Sequence, residues 1–248
     1  MLDDLSAIQI AIVVCVVFGA FVVRGASGFG AGTVGVPLLA FLMPVHTAVA
    51  LFSLLVVVLF AFLSVRDWGT VVKDELWRLM WPTLAGVATG VLLFKYFDNS
   101  LLQSLLGGFL VVYSIYSLAV HYMGLPQATC GPRWAFPIAF VAAILDTLFG
   151  GGGGSLVVIY MHMRGIARAP FRATVAVLWL AEMGARILGY GASGQYSPDV
   201  LMGCLLLLPV MAVGSWLGER LGNRISHENF SKLLAVVLLL AGASLLAK

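Results

Sequence analysis

Five consecutive glycines, Gly150 to Gly154, stand in the middle of an apolar stretch where a helix would otherwise run on. Each glycine weakens a helix by about 1 kcal/mol relative to alanine, so the run predicts a break. A looser run, Gly28-Phe-Gly-Ala-Gly-Thr33, interrupts another apolar stretch in the first half of the chain. Both runs end in a small hydroxyl residue, Thr33 or Ser155, and a short apolar segment follows, to Met43 or Met163. Sliding the sequence by 122 lays Gly28, Gly30, Gly32 and Val36 on Gly150, Gly152, Gly154 and Val158, with Thr33 on Ser155. The pattern predicts two broken helices that face each other across an internal repeat.

The surroundings of these breaks are those of a membrane protein. The chain is 61% hydrophobic and 10% charged over 248 residues, whereas a soluble chain carries roughly 25% charged residues. Apolar stretches of about 17–22 residues recur along the whole length, enough to cross a bilayer. The net charge of +3 comes with no basic cluster or aromatic platform, so no nucleic-acid partner is expected. Cys15 and Cys204 fall inside apolar spans and Cys130 in a loop, which suggests neither a disulfide framework nor a metal site. Met1-Leu-Asp-Asp-Leu-Ser lacks a basic signal region, and the first apolar segment is expected to be retained.

The expected fold is an all-α polytopic membrane protein with two inverted repeats, each a glycine-broken helical hairpin plus three transmembrane helices. Repeat 1 covers 1–122, with a broken segment at 8–43 and spans at 47–65, 79–94 and 101–121. A linker follows at 123–133. Repeat 2 covers 134–248, with a broken segment at 134–163 and spans at 172–190, 200–217 and 233–247. Shifting by 128 superposes Gly86-x-x-x-Gly90 on Gly214-x-x-x-Gly218, a second ordered match that favours duplication. Both pairs read mainly as helix-packing positions.

Charge sets the expected topology. If each broken segment enters and leaves on one face, the loops at 66–78, 122–133, 164–172 and 218–232 share a side and hold ten Lys and Arg, against two opposite. If each broken segment crossed once, the split would be seven against five. The positive-inside rule selects the first arrangement, with both termini outside a cytoplasmic membrane and the hairpins inserted from opposite faces. Antiparallel repeats with broken helices are a transporter architecture.

A half-helix that starts inside the membrane presents unpaired N–H groups and the positive end of its dipole. Two such ends, at Gly30–Thr33 and Gly152–Ser155, would suit a small oxyanion at the midplane. Intramembrane ionisable residues are functional candidates by default. Arg24 and Asp146 stand just before the two breaks, 122 residues apart, and could pair across the repeat axis. They, with Glu182 and Arg186 spaced i, i+4, are the candidates for coupling or gating. No catalytic constellation, metal cluster or cofactor motif is present in the sequence; Gly30-x-Gly32-x-x-Gly35 formally fits a dinucleotide fingerprint but has no preceding strand and no acidic residue about 20 positions later.

The residues Gly28-Phe-Gly-Ala-Gly-Thr-Val-Gly-Val-Pro-Leu-Leu39 and Phe149-Gly-Gly-Gly-Gly-Gly-Ser-Leu-Val-Val158, with the two glycine pairs, resemble the sulfite exporter TauE/SafE family over nearly the whole chain. The resemblance implies a membrane transporter that moves sulfite, sulfonates or other small organosulfur anions outward. The family's glycine-rich segments carry over onto Gly28, Gly30, Gly32, Gly152, Gly153 and Gly154. With Thr33 and Ser155 these form the expected substrate-binding set. Two departures, Ala31 in place of a third consecutive glycine and Ile159 where the first motif has Pro37, predict that the two sides of the site differ in shape. The expected function is a secondary transporter working by alternating access, partnered by the lipid bilayer and a small anion and compatible with a homo-oligomer. A passive anion channel and a non-transporting membrane protein are the alternatives.

Overall fold

A computed structural model describes residues 7–27, 30–66, 68–123, 130–222 and 227–246. Gly28 and most of the expected join between halves, 124–129, lie outside the described residues. Ten α-helices occur among them: α1 (Ala7–Ser27), α2 (Ala31–Leu39), α3 (Val45–Arg66), α4 (Lys73–Tyr96), α5 (Asn99–Met123), α6 (Ala135–Phe149), α7 (Gly154–Met163), α8 (Arg168–Ala192), α9 (Pro198–Gly222) and α10 (His227–Leu246). No strand is present among the described residues. Seven of the helical stretches are long and apolar enough to cross a membrane.

The surface is that of a protein solvated by lipid. Phe62, Leu92, Val112, Leu205 and Leu240 all point outward from the middle or ends of long apolar helices. Five tryptophans, Trp68, Trp77, Trp81, Trp134 and Trp216, are exposed at or near helix ends, where an aromatic belt sits. The sixth, Trp179, is buried.

The helices α2 and α7 have 9 and 10 residues, so they rise only about 14–15 Å and cannot cross a ~30 Å hydrocarbon core. Each folds back on the helix before it, α2 on α1 and α7 on α6. The chain makes these turns with left-handed glycines, Gly30 at φ +91° and Gly152 at φ +103°, which occupy equivalent positions in the 122-residue offset. Nearly every residue of α2 is buried. Irregular backbone at membrane depth has to be enclosed by protein, and α3, carrying the fully buried Ala48, Val49, Leu51 and Leu55, supplies much of that enclosure.

The glycine pairs hold the outer helices close. Gly86 and Gly90 of α4 lie against Phe140, Ala143 and Thr147 of α6. Gly214 and Gly218 of α9 lie against Phe18, Phe21, Val22 and Gly25 of α1. In both cases the neighbour is backbone or a short side chain, as small-residue packing in lipid requires. Helices α5 and α10 meet at Gly107 and Gly242, each facing the other's carbonyl.

These contacts predict a sharp contrast between glycines. A Cβ on Gly90 would sit 2.7 Å from the Thr147 Cβ, and one on Gly218 would overlap the Val22 carbonyl, whereas Gly108 has nothing within 4 Å. Gly90→Leu and Gly218→Leu should therefore lower the thermal unfolding temperature of the purified protein, and Gly108→Leu should leave it unchanged.

Candidate functional site

The two breaks touch. A Cβ on Gly32 would overlap the carbonyl of Gly150, and one on Gly151 would lie 2.9 Å from the Thr33 hydroxyl. Around this crossing is one cavity with about 60 Å³ of space open to a water-sized solute. About 10–15 Å³ of such space accommodates one water, so the cavity suits a solute of roughly four to six heavy atoms. Its lining comes from Phe52 to Phe60 on α3, Tyr113 on α5, and Trp179 to Arg186 on α8, which are the central stretches of those helices.

Most of the residues singled out in the sequence meet here. Gly30, Gly32, Thr33, Gly152, Gly154 and Ser155 line the cavity, and so do Arg24, Asp146 and Arg186. Gly153 does not. Its Cβ position runs into the Ala142 carbonyl, and its N–H donates to Asp146 Oδ1 at 2.8 Å. Glu182 stands behind the wall, buried and ion-paired with Arg186 across one helical turn.

Arg24 and Asp146 share the cavity but are engaged differently. The Asp146 carboxylate accepts the backbone N–H of Gly153, lies close to the N–H of Gly154 and feels the charge of Arg186. The Arg24 guanidinium lies 5.3 Å from the centre of the Phe60 ring. Arg186 is fully buried (0% exposed). The Ser155 hydroxyl donates to the Gly152 carbonyl at 2.6 Å and also meets Tyr113. The hydroxyl of Tyr190, one turn beyond Arg186, donates to the Thr147 carbonyl and so ties α8 to α6.

Sequence reasoning missed much of the remaining wall, including Phe52, Ser53, Phe60, Tyr113, Trp179 and Met183. Ser53 and Tyr113 carried a faint signal as polar groups inside apolar spans. Trp179 carried a clearer one, because it stands mid-span whereas the other tryptophans fall at span ends. The described residues contain no group of three or more His, Cys, Asp or Glu placed to hold a metal.

The far end of α7 is anchored by a second polar cluster. Glu75, buried at the start of α4, accepts from the Tyr160 hydroxyl at 2.8 Å, from Arg164 Nη2 at 2.9 Å and from Arg78 Nη1 at 2.8 Å. The half-helix is thus held at both ends, by Asp146 inside the membrane and by Glu75 at its outer end.

A family model described as sulfite exporter TauE/SafE matches residues 12–245. The chain belongs to that family. TauE/SafE proteins are membrane transporters of sulfur-containing anions, and seven apolar helices make this member a multi-pass membrane protein. No curated protein and no solved structure matches the chain.

The Glu75 cluster yields a prediction. Glu75→Gln keeps an acceptor for Tyr160 but removes the charge that holds Arg78 and Arg164. Losing charge-assisted hydrogen bonds of this kind costs about 1–2 kcal/mol. Thermal unfolding in detergent should register that loss, and Tyr160→Phe alone should register less.

Proposed function

We propose that this TauE/SafE protein is a secondary transporter that exports a small sulfur oxyanion, such as sulfite or a sulfonate, by alternating access around a site at the bilayer midplane. The observation that carries the reading is the cavity at the crossing of the two breaks. It is walled by aromatic rings and lined by helix N-terminal backbone, the hydroxyl residues Thr33, Ser53, Tyr113 and Ser155, and buried guanidinium groups, the chemistry of a small-anion site. Its size suits a head group of a few heavy atoms.

The proposal includes two inverted repeats, 1–122 and 134–248, joined at 123–133. Support comes from equivalent packing: α1 against α9 in one direction and α4 against α6 in the other, each through its own glycine pair. Equivalent left-handed glycines at the breaks support it too. In this reading both termini lie outside the cytoplasmic membrane, as the distribution of Lys and Arg favours. Gly30, Gly32, Thr33, Gly152, Gly154 and Ser155 contribute to the substrate site, and Arg24, Asp146, Glu182 and Arg186 to coupling or gating.

The test is flux in proteoliposomes containing the purified protein, with sulfite and methanesulfonate as cargo. Transport should saturate with concentration, and anion loaded on one side should drive counterflow of label from the other. Flux that rises linearly without counterflow would make the protein a channel, and no flux of either anion would remove the transport reading. Cysteines placed near either terminus should react with a membrane-impermeant reagent in intact cells; protection of both would reverse the proposed orientation.

A further inference from the structure

The two ends of the cavity are chemically unlike. In the 122-residue offset, Asp146 of the second half occupies the position that Arg24 holds in the first. At the second break the Asp146 carboxylate turns back onto the amide of Gly153, the residue that caps the start of α7. A carboxylate there satisfies donors that a helix start leaves unpaired and complements the helix dipole. The α7 end already holds an anion, one built into the chain.

Among the described residues the first break has no such group. Gly30, the residue before α2, is left-handed and makes no side-chain cap, and the first turn of α2, Ala31 to Thr33, lines the cavity. An arginine in the position of Asp146 cannot cap a helix start, because its charge repels the positive end of the dipole.

A second observation points into the same cavity. Arg186 lines the cavity and is completely buried, with Nη2 on Glu182. Its Nε and Nη1 have no hydrogen-bond acceptor among the described residues. Buried guanidinium donors without acceptors are unfavourable, and an oxyanion in the cavity would supply what they lack.

We propose that the transported anion binds as a single oxyanion at the α2 end, between the first-turn amides of α2, the Thr33 hydroxyl and the unpartnered N–H groups of Arg186, while Asp146 fills the α7 end as a resident anion. The assignment rests on the transport reading and replaces a site shared equally by two helix ends with a one-sided one. It also names the head group. Arg24, Asp146, Glu182 and Arg186 sum to zero when ionised, so a monoanion adds one uncompensated charge and a dianion adds two. The site therefore selects a compact, singly charged sulfonate-type head whose three oxygens can each meet one of the three donor groups.

Equilibrium binding to the purified full chain in nanodiscs, measured by calorimetry with methanesulfonate and with sulfite, tests this. Wild type should bind one anion per chain. Arg186→Lys keeps a cation for Glu182 but loses the guanidinium donors, and affinity should fall about tenfold or more. Asp146→Asn keeps an oxygen for the Gly153 N–H while removing a negative charge from the cavity wall, and it should bind methanesulfonate more tightly than wild type. Undiminished binding by folded Arg186→Lys, two anions per chain, or weaker binding by Asp146→Asn would each overturn the assignment while leaving transport intact. Wild type binding neither anion would remove the transport reading and this assignment together. Thermal unfolding shows whether each variant is folded; if Arg186→Lys is not, the stoichiometry and the direction of the Asp146→Asn shift decide.

Discussion

The non-helical backbone of Gly150 and Gly151 meets the first turn of α2 between membrane-length helices, and the rest of the molecule is built to keep lipid away from it. Gly32 lies on the Gly150 carbonyl and Gly151 on Thr33, so close that no side chain fits between. Such backbone cannot face hydrocarbon, because its N–H and C=O groups would go unsatisfied. Enclosure comes first from α2 and α3, whose residues around the crossing are almost all buried. It is completed by the pairs α4–α6 and α1–α9, which close tightly because glycines replace side chains at their contacts.

Burying ionisable groups beside that crossing is costly unless each has a partner. The structure supplies those partners locally. Glu182 holds one edge of Arg186 from the next turn of the same helix, and Asp146 is held by the amide seven residues along its own chain. Tyr190 then fixes α8 to α6 through the Thr147 carbonyl. These interactions engage one edge of Arg186 and leave its Nε and Nη1 without acceptors among the described residues.

The two breaks carry unlike charges. Arg24 and Asp146 stand just before them, 122 residues apart and opposite in sign. The Asp146 carboxylate meets the start of α7, whereas the first turn of α2 lines the cavity and packs on the backbone of Gly150 and Gly151.

The sequence by itself determined the solvent, the secondary structure and the family. Membrane-length apolar runs and a low charge content leave no other environment, glycine runs cannot continue a helix, and the paired glycine motifs resemble those of TauE/SafE proteins. These properties are local, written in composition and in spacing along a few turns. Only the tertiary structure decided which of these residues face one another. Gly153 and Gly154 are adjacent in the same motif, yet one is pressed against the Ala142 carbonyl and the other lines the cavity, because their directions depend on how α7 leaves the break. Ser53, Tyr113 and Trp179 join the wall from helices far apart in the chain, by a register between packed helices that no local pattern encodes. The capping of α7 by Asp146 is likewise a matter of the angle at which the hairpin closes, since the same spacing in the first half brings an arginine that cannot cap.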